Sequence, residues 1–294
     1  MKKKRCFGRG ALTVLAAFFA VLFLLPTVLT ITNSFMSPSE ISANYGTVFQ
    51  NAQSSTKTYV AEKVNLKFIP DKVTFSQYST ALIKSPDYLF KFWNSVFLVV
   101  PIVILQLLIA ALAAYSFTRY RGRAKSFLFF FYVILMLMPY QVTLVPNYLV
   151  SSWLGILNTR WAIILPGSFA PFSVFLLTKF MRRIPRSLIE AAKLDGAGEW
   201  TIFTKICLPQ CRSALYSVAI LVFMDNWNMV EQPIILLPDT SKQPLSVFLS
   251  TINAGEVGLA FAVATIYMVP SLLLFLHGED ALVEGITNAG SVKG

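Results

Sequence analysis

Charge is scarce in this chain. Of its 294 residues, 13% are Asp, Glu, Lys or Arg, while 55% are hydrophobic and the mean hydropathy is +0.63. A soluble globular domain carries about twice that share of charge, so the composition excludes an ordinary water-soluble fold and puts the chain in a bilayer. His277 is the sole histidine. With one imidazole and 14 acids scattered along the chain, the clustered proton donors and nucleophiles of a membrane enzyme have little to be built from. The three cysteines, Cys6, Cys207 and Cys211, are too few for an extracellular disulfide framework and sit beside basic clusters, so they read as free thiols. Cys207 and Cys211 have a metal-compatible helical spacing, but Pro209 lies between them and His277 is remote, so no zinc site is expected. The sequence also lacks G-x-x-x-x-G-K-[ST], H-E-x-x-H and G-x-S-x-G. No cofactor is expected in this chain, and any ATP with its Mg must be used by another subunit.

What is present is a series of long apolar runs. Residues 11–31, 93–117, 127–150, 161–180, 214–230 and 259–276 are each long enough to cross roughly 30 Å of hydrocarbon as a helix. The first follows MKKKR but lacks a convincing A-x-A cleavage site, so it reads as an uncleaved span. The expected fold is therefore an all-α membrane protein with six transmembrane helices, residues 1–294 forming a single transmembrane domain. The net charge of +11 would suggest nucleic acid in a polar protein. Here the cations instead gather at the ends of apolar runs. Five precede the first span, four lie between the second and third (Arg119, Arg121, Arg123, Lys125), seven fall in residues 179–212 and one is Lys293. Those seventeen of 25 basic residues put both termini in the cytoplasm by the positive-inside rule.

The extracytoplasmic segments then differ in length. Residues 32–92 are long enough to hold a small folded cap, with an extended lead-in and a turn or two of amphipathic helix, for which Ser76 is a candidate cap. Residues 232–258, with Pro238, Asp239, Pro244, Asn253 and Gly255, have the composition of a solvated connector.

Between the fourth and fifth runs, residues 182–212 are too polar for membrane and too apolar for an idle linker. Pro185 suits a first helical position, Leu188, Ile189, Ala192 and Leu194 supply helical periodicity, and Gly196 suits a left-handed cap. Trp200, Phe203 and Ile206 mark a second short helix, which Pro209 is expected to stop. Two brief helices with apolar residues toward the cytosol result, either packed on their own helix ends or open to a partner.

Within that loop the pattern E-A-A, three residues, Gly, nine residues, I-x-L-P is matched without a gap by Glu190, Ala191, Ala192, Gly196, Ile206, Leu208 and Pro209. This resembles the signature loop of permeases in binding-protein-dependent ABC importers. MPYQVTLVPNYLV, LGILNTRWAIILP, the DNWN run at Asp225 and the closing GITNAGSVKG extend the resemblance over essentially the whole chain, toward the MalG-like carbohydrate branch. The resemblance implies a permease that moves a sugar or oligosaccharide delivered by an extracytoplasmic solute-binding protein. It implies a second homologous permease, two ATPase (nucleotide-binding) subunits and surrounding membrane lipid as partners, and no nucleic acid. The implied setting is a bacterial or archaeal cytoplasmic membrane. Residues Glu190 to Gly196, including Leu194 and Asp195, would form a coupling helix docked in an ATPase cleft. Residues 232–258 would meet the solute-binding protein, and Lys293 in the tail would reach the ATPases. The competing reading is a secondary transporter or channel that needs no ATPase.

Asp225 lies eleven residues beyond Ala214, where its run begins, well inside the hydrocarbon region, where a charge costs roughly 2.5 to 3.5 kcal/mol on insertion scales. It is expected to face a polar cavity or a partner span, with Asn228 on the same helix face and Glu231 just beyond. Together with Gln141, between the kink-forming Pro139 and Pro146, these residues make either a hydrophilic path for sugar hydroxyls or a buried polar clamp.

Overall fold

The computed structural model describes residues 2–53, 66–120, 122–251 and 257–290. Arg121, Asn253, Gly255 and Lys293 lie outside the described residues. In chain order the helices are α1 (Lys2–Asn33), α2 (Pro38–Gln53), α3 (Ser76–Ser79), which runs on into a π turn at Thr80–Lys84, and α4 (Pro86–Arg119). Next come α5 (Arg123–Met136), α6 (Tyr140–Trp153), α7 (Trp161–Gly167) and α8 (Pro171–Met181). A connecting stretch holds α9 (Arg186–Leu194), α10 (Glu199–Ile202), a π turn at Phe203–Cys207 and α11 (Leu208–Gln210). The remaining helices are α12 (Arg212–Trp227), α13 (Glu231–Leu236), α14 (Leu245–Ser250) and α15 (Val257–Gly290).

Among the described residues, four stretches are long and apolar enough to cross a membrane: Leu12–Asn33, Pro86–Arg119, Trp161–Met181 and Val257–Asp280. Two more qualify only as bent pairs, α5 with α6 at 104° and Glu199–Gln210 with α12 at 75°. The chain is thus an all-α, multi-pass membrane protein with four such helices, or up to six. Helices suit this medium because each satisfies its own backbone amides where no water can. The first stretch shows its side chains outward along its length, Phe23 at 78% exposure among them, as a lipid-facing helix must.

The third apolar run departs from expectation. In place of one kinked span, α5 ends in a tight turn, with the Leu137 and Met138 amides donating to Ile134 and Leu135. Pro139 is extended (φ −64°, ψ 142°) and α6 starts anew after it. The cause is the residue before a proline, which the ring pushes out of the α region, so Met138 cannot continue the helix. Pro146, expected to kink as well, sits inside α6 without interrupting it. The fifth run also ends early: α12 stops at Trp227, three residues short of the expected boundary.

The described residues divide into two compact units, Met1–Leu89 with Leu249–Val269, and Phe90–Phe248 with Pro270–Gly294. In the first, the end of α1 is tied down by buried polar groups. Asn33 Nδ2 donates to the Tyr45 hydroxyl at 2.8 Å, and the Ser34 and Tyr78 hydroxyls share a 2.7 Å hydrogen bond. Met36, Ile41, Tyr45 and Val257 form a small core with Phe261 packed on it. Helix α2 went unread in the sequence, although Ser37-Pro38-Ser39-Glu40 carries its start signal: the Glu40 amide donates to Ser37 Oγ at 3.3 Å. Glu40's carboxylate instead accepts from Lys67 Nζ (3.1 Å) and the Asp71 amide (2.8 Å), fastening the extended lead-in. Ser76 is not the cap expected of it. Phe75 occupies that position without a side-chain bond, and Ser76 Oγ pairs with Thr74 Oγ1 at 3.2 Å.

In the second unit, α4 buries Leu98, Val99, Ile102, Gln106, Ala110, Ala111 and Ala114 and leaves Phe97, Val100, Ile104, Leu108 and Leu112 exposed. The small residues let neighbours approach closely, a habit of packed membrane helices. Buried Gln106 donates to Ser173 Oγ on α8 at 2.6 Å. Near the end of α12, Trp227 is fully buried, stacked on Phe223 (5.0 Å, 18°) and met edge-on by Phe92 (5.8 Å).

Trp227→Ala is expected to cost about 3–5 kcal/mol of stability, because the lost stacking and the cavity left behind add together. The check is the thermal melting midpoint of the detergent-purified protein, which falls markedly for this variant and only slightly for Trp227→Phe.

Candidate functional site

Three features of the second unit bear on function: the connecting stretch between α8 and α12, a cavity, and a hydrogen-bonded loop before α14.

The connecting stretch is built by its punctuation. Pro185, expected as the first helical residue, instead precedes the helix with an extended backbone (φ −58°, ψ 133°), so α9 begins one residue later at Arg186. It ends where Gly196 takes φ +80°. The Gly196 amide donates to Lys193 O (3.0 Å) and the Ala197 amide to Ala192 O (2.9 Å), closing the helix in a Schellman motif. A Cβ on Gly196 would meet nothing within 4 Å, so it is the backbone angle, not space, that reserves the position for glycine. Of the apolar residues on α9, Ile189 is buried while Leu188 is exposed and Leu194 is 90% exposed. Glu190, Ala191 and Asp195 are exposed too, and Ala192 is half-buried.

The second short helix turns its faces the same way: Ile202, Phe203 and Cys207 are buried, Trp200 is exposed, and Ile206 and Leu208 are half-buried. Pro209 does not stop it. The missing proline amide is absorbed by the π turn, in which the Leu208 amide donates to Phe203 O, and the helix runs on to Gln210. The break comes at Cys211, whose backbone (φ −98°, ψ 15°) leaves the helical range. Burial pushes the Cys207 thiol up, and the Cys211 thiol up to about 11. Among the described residues no group of three or more His, Cys, Asp or Glu could hold a metal ion.

Glu199, which sequence reading did not single out, is the hub of this stretch. Its carboxylate accepts from Lys193 Nζ at 2.6 Å and from the Tyr115 hydroxyl, and Arg119 Nε lies 3.8 Å away. The Tyr115 hydroxyl also lies 3.2 Å from the Glu199 carbonyl, and the Tyr115 ring packs on Phe203 at 5.1 Å. The Lys193 hydrogen bond first, and that of Tyr115 next, hold the Glu199 carboxyl below its ordinary range. No local spacing could have revealed the pairing, since Tyr115 is 84 residues away on the last turns of α4.

The cavity holds about 830 Å³ and is lined by the broken third run, α7, the start of α8 and the end of α12. Its polar wall is Gln106, Thr143, Asn147, Asp225, Asn226 and Gln232, with Tyr140, Phe169 and Phe172 supplying aromatic surface. Asp225 thus lies on the wall of a cavity, among the polar residues of a lining that is otherwise largely apolar. The other three residues singled out with it do not line the space. Asn228 follows the last residue of α12, and its side-chain Nδ2 donates back to Met224 O at 2.8 Å. Gln141 and Glu231 meet each other instead, Nε2 to Oε2 at 3.3 Å, joining the start of α6 to the start of α13. The break at Pro139 explains Thr143, Asn147 and Tyr140 on the wall: a straight span would have pointed them elsewhere.

The loop at 237–244 is held mostly by its main chain. Lys91 Nζ donates to Thr240 O (3.0 Å), Asn94 Nδ2 to Ser241 O (2.7 Å), and Lys242 Nζ to Asn158 O (3.0 Å). Asn158 itself stands at φ 59°, a conformation asparagine tolerates, and its Oδ1 accepts from the Asp239 amide at 3.2 Å. Asp239 caps the short turn at Thr240–Lys242 through the Ser241 amide at 3.0 Å.

Comparison with known proteins accounts for this arrangement. Residues 106–279 match the family described as binding-protein-dependent transport system inner membrane component. The arabinooligosaccharides transport system permease protein of Halalkalibacterium halodurans is 29% identical over 288 residues, 96% of each chain. The polygalacturonan/rhamnogalacturonan transport system permease protein of Bacillus subtilis is 31% identical over 254 residues, 80% of this chain and 88% of the relative. A chain in the crystal structure of a bacterial ABC transporter involved in the import of the acidic polysaccharide alginate shares the fold, with a TM-score of 0.77 at 22% identity, over 95% of this chain and 98% of that one. A family match over more than half of the residues, in a chain whose relatives align nearly end to end, makes this protein a member of the binding-protein-dependent transport system inner membrane components, a transport permease subunit and not an enzyme.

Proposed function

We propose that this subunit pairs with a second, homologous permease to form the pathway of an ATP-driven ABC importer for a sugar or oligosaccharide. ATP and Mg are used by two separate ATPase subunits, and cargo arrives on an extracytoplasmic solute-binding protein. In this reading α5 with α6 is the third span and α12 alone the fifth, giving six, with both termini in the cytoplasm of a bacterial or archaeal cell. The distribution of lysine and arginine supports that orientation.

One observation carries the reading: the stretch between α8 and α12 is a closed, internally capped unit that nonetheless leaves Leu188, Leu194 and Trp200 in the open. Apolar residues exposed on the polar side of a membrane protein mark a contact surface. Residues 190–196 are the coupling helix, seated in an ATPase cleft, and Ile206, Leu208 and Pro209 shape its return to α12. Being a short capped helix, the unit moves as a body and carries displacement into the spans on either side. The tail around Lys293 reaches toward the same ATPases, and the loop before α14 meets the solute-binding protein.

The cavity supplies the path. Amides, hydroxyls and the Asp225 carboxylate can exchange hydrogen bonds with sugar hydroxyls, and the aromatic rings can lie against sugar faces. Asp225 lies on the wall, but no Lys or Arg does, so the cavity favours neutral sugars over acidic ones. Gln141 and Glu231 brace the mouth formed by α6 and α13, and Asn228 secures the end of α12.

Reconstitution with the partner permease, the ATPases and the binding protein tests the assignment. ATP hydrolysis should rise severalfold with neutral oligosaccharides and little with uronate oligomers; sugar accumulation without ATP overturns the proposal. Gly196→Val should leave the chain in the membrane at normal levels while abolishing uptake, since a β-branched residue at φ +80° unwinds the cap at a cost of about 1–2 kcal/mol. Uptake and ligand-stimulated ATPase activity at wild-type levels in that variant refute the coupling role of the loop.

A further inference from the structure

We infer that α4 is a strut joining the two loops on which coupling depends, and that Asn94 and Tyr115, one near each of its ends, are positioning residues for signal transfer across the membrane. The inference rests on the reading that residues 182–211 face the ATPases and residues 237–244 the binding protein.

At one end, Asn94 gives its Nδ2 to the outer loop and its Oδ1 to Arg160, which precedes α7. Its Nδ2 donates to Ser241 O (2.7 Å) and lies 3.3 Å from Gln243 O, while Oδ1 accepts from Arg160 at 2.9 Å. One residue on, Ser95 Oγ accepts from the Leu245 amide at 3.0 Å. Asn94 and Ser95 are buried, so these bonds are made away from water, where leaving one unmade is costly. At the other end, the Tyr115 hydroxyl holds the Glu199 carboxylate, its ring packs on Phe203 and the Arg119 guanidinium lies over it at 5.8 Å.

Between Asn94 and Tyr115 the chain is one unbroken helix, a reach of about 30 Å at 1.5 Å per residue. The buried face of α4 and the Gln106 to Ser173 hydrogen bond hold it laterally against its neighbours. A helix so clamped resists compression along its axis, and its polar ends grip the loop at 237–244 on one side and the start of α10 on the other. Displacement of the loop at 237–244 therefore reaches Glu199 and the coupling helix along α4, whose Gln106 lies on the cavity wall. Neither Asn94 nor Tyr115 lines that cavity.

The experiment is a double-mutant cycle on the reconstituted complex, reading the ratio of ATPase rate with ligand-loaded binding protein to the rate without it. Asn94→Ala and Tyr115→Phe should each lower the ratio roughly fivefold or more, the scale of an allosteric coupling of this kind. The double variant should be no lower than the weaker single variant, because both cut the same strut. Fold-losses that multiply, or a wild-type ratio in either single variant, overturn the strut. Ser95→Ala replaces Asn94→Ala in the cycle, with the same expectations, if the latter does not copurify with its partners. Gly196→Val run alongside separates the two ideas. Loss of stimulation there with a wild-type ratio in Asn94→Ala removes the strut and spares the loop assignment, whereas a wild-type ratio in Gly196→Val removes both.

Discussion

A backbone amide inside hydrocarbon has no water to turn to, and every interruption of a helix in this chain has to answer for the groups it frees. The answers are local and specific. At Pro139 the missing donor is the proline's own, and the turn amides of Leu137 and Met138 reach back to Ile134 and Leu135. At Cys211 the amide bridges to Cys207 O and Leu208 O, so the 75° bend costs no unpaired donor there. Thr178 and Ser217 send their hydroxyls to carbonyls four residues back. Breaks permitted on these terms are what allow polar side chains to gather: the cavity wall exists because α5 and α6 part company at 104° and present Thr143 and Asn147 inward.

That constraint also explains what could be read from the sequence. Long apolar runs announce helices in lipid because the medium leaves few other folds, and the resulting all-α, multi-pass architecture was legible at once. Gly196 was legible for a related reason: one residue type tolerates φ +80° without strain, so a glycine after a helical pattern is a statement about backbone angle. The E-A-A pattern pointed to the family that the comparison with known proteins then showed.

Other features were hidden because they depend on partners far along the chain. Pro139 and Pro146 look alike in sequence, yet one ends a helix and the other rides within α6; the difference lies in what surrounds them. Pro209 was read as a stop, and a π turn upstream made it harmless. Glu199 looks like one more exposed acid until Tyr115 arrives from α4. Gln141 and Glu231 were grouped for their polarity, and the fold brings the two together, though on each other and not on the cavity. The missed α2 is a different case, since Ser37, Pro38 and Glu40 were in plain view as a helix start and only its weakly apolar body concealed it.

The loop at 237–244 is gripped largely by its carbonyl oxygens. Thr240, Ser241 and Gln243 are held by Lys91 and Asn94 through atoms that every amino acid possesses. Its course is therefore fixed in part by residues outside it and in part by its own Leu237, Asp239, Lys242 and Gln243, while Pro238 and Thr240 are exposed. Substitutions at those two positions can change the face that the loop turns outward, with the frame beneath left as it was.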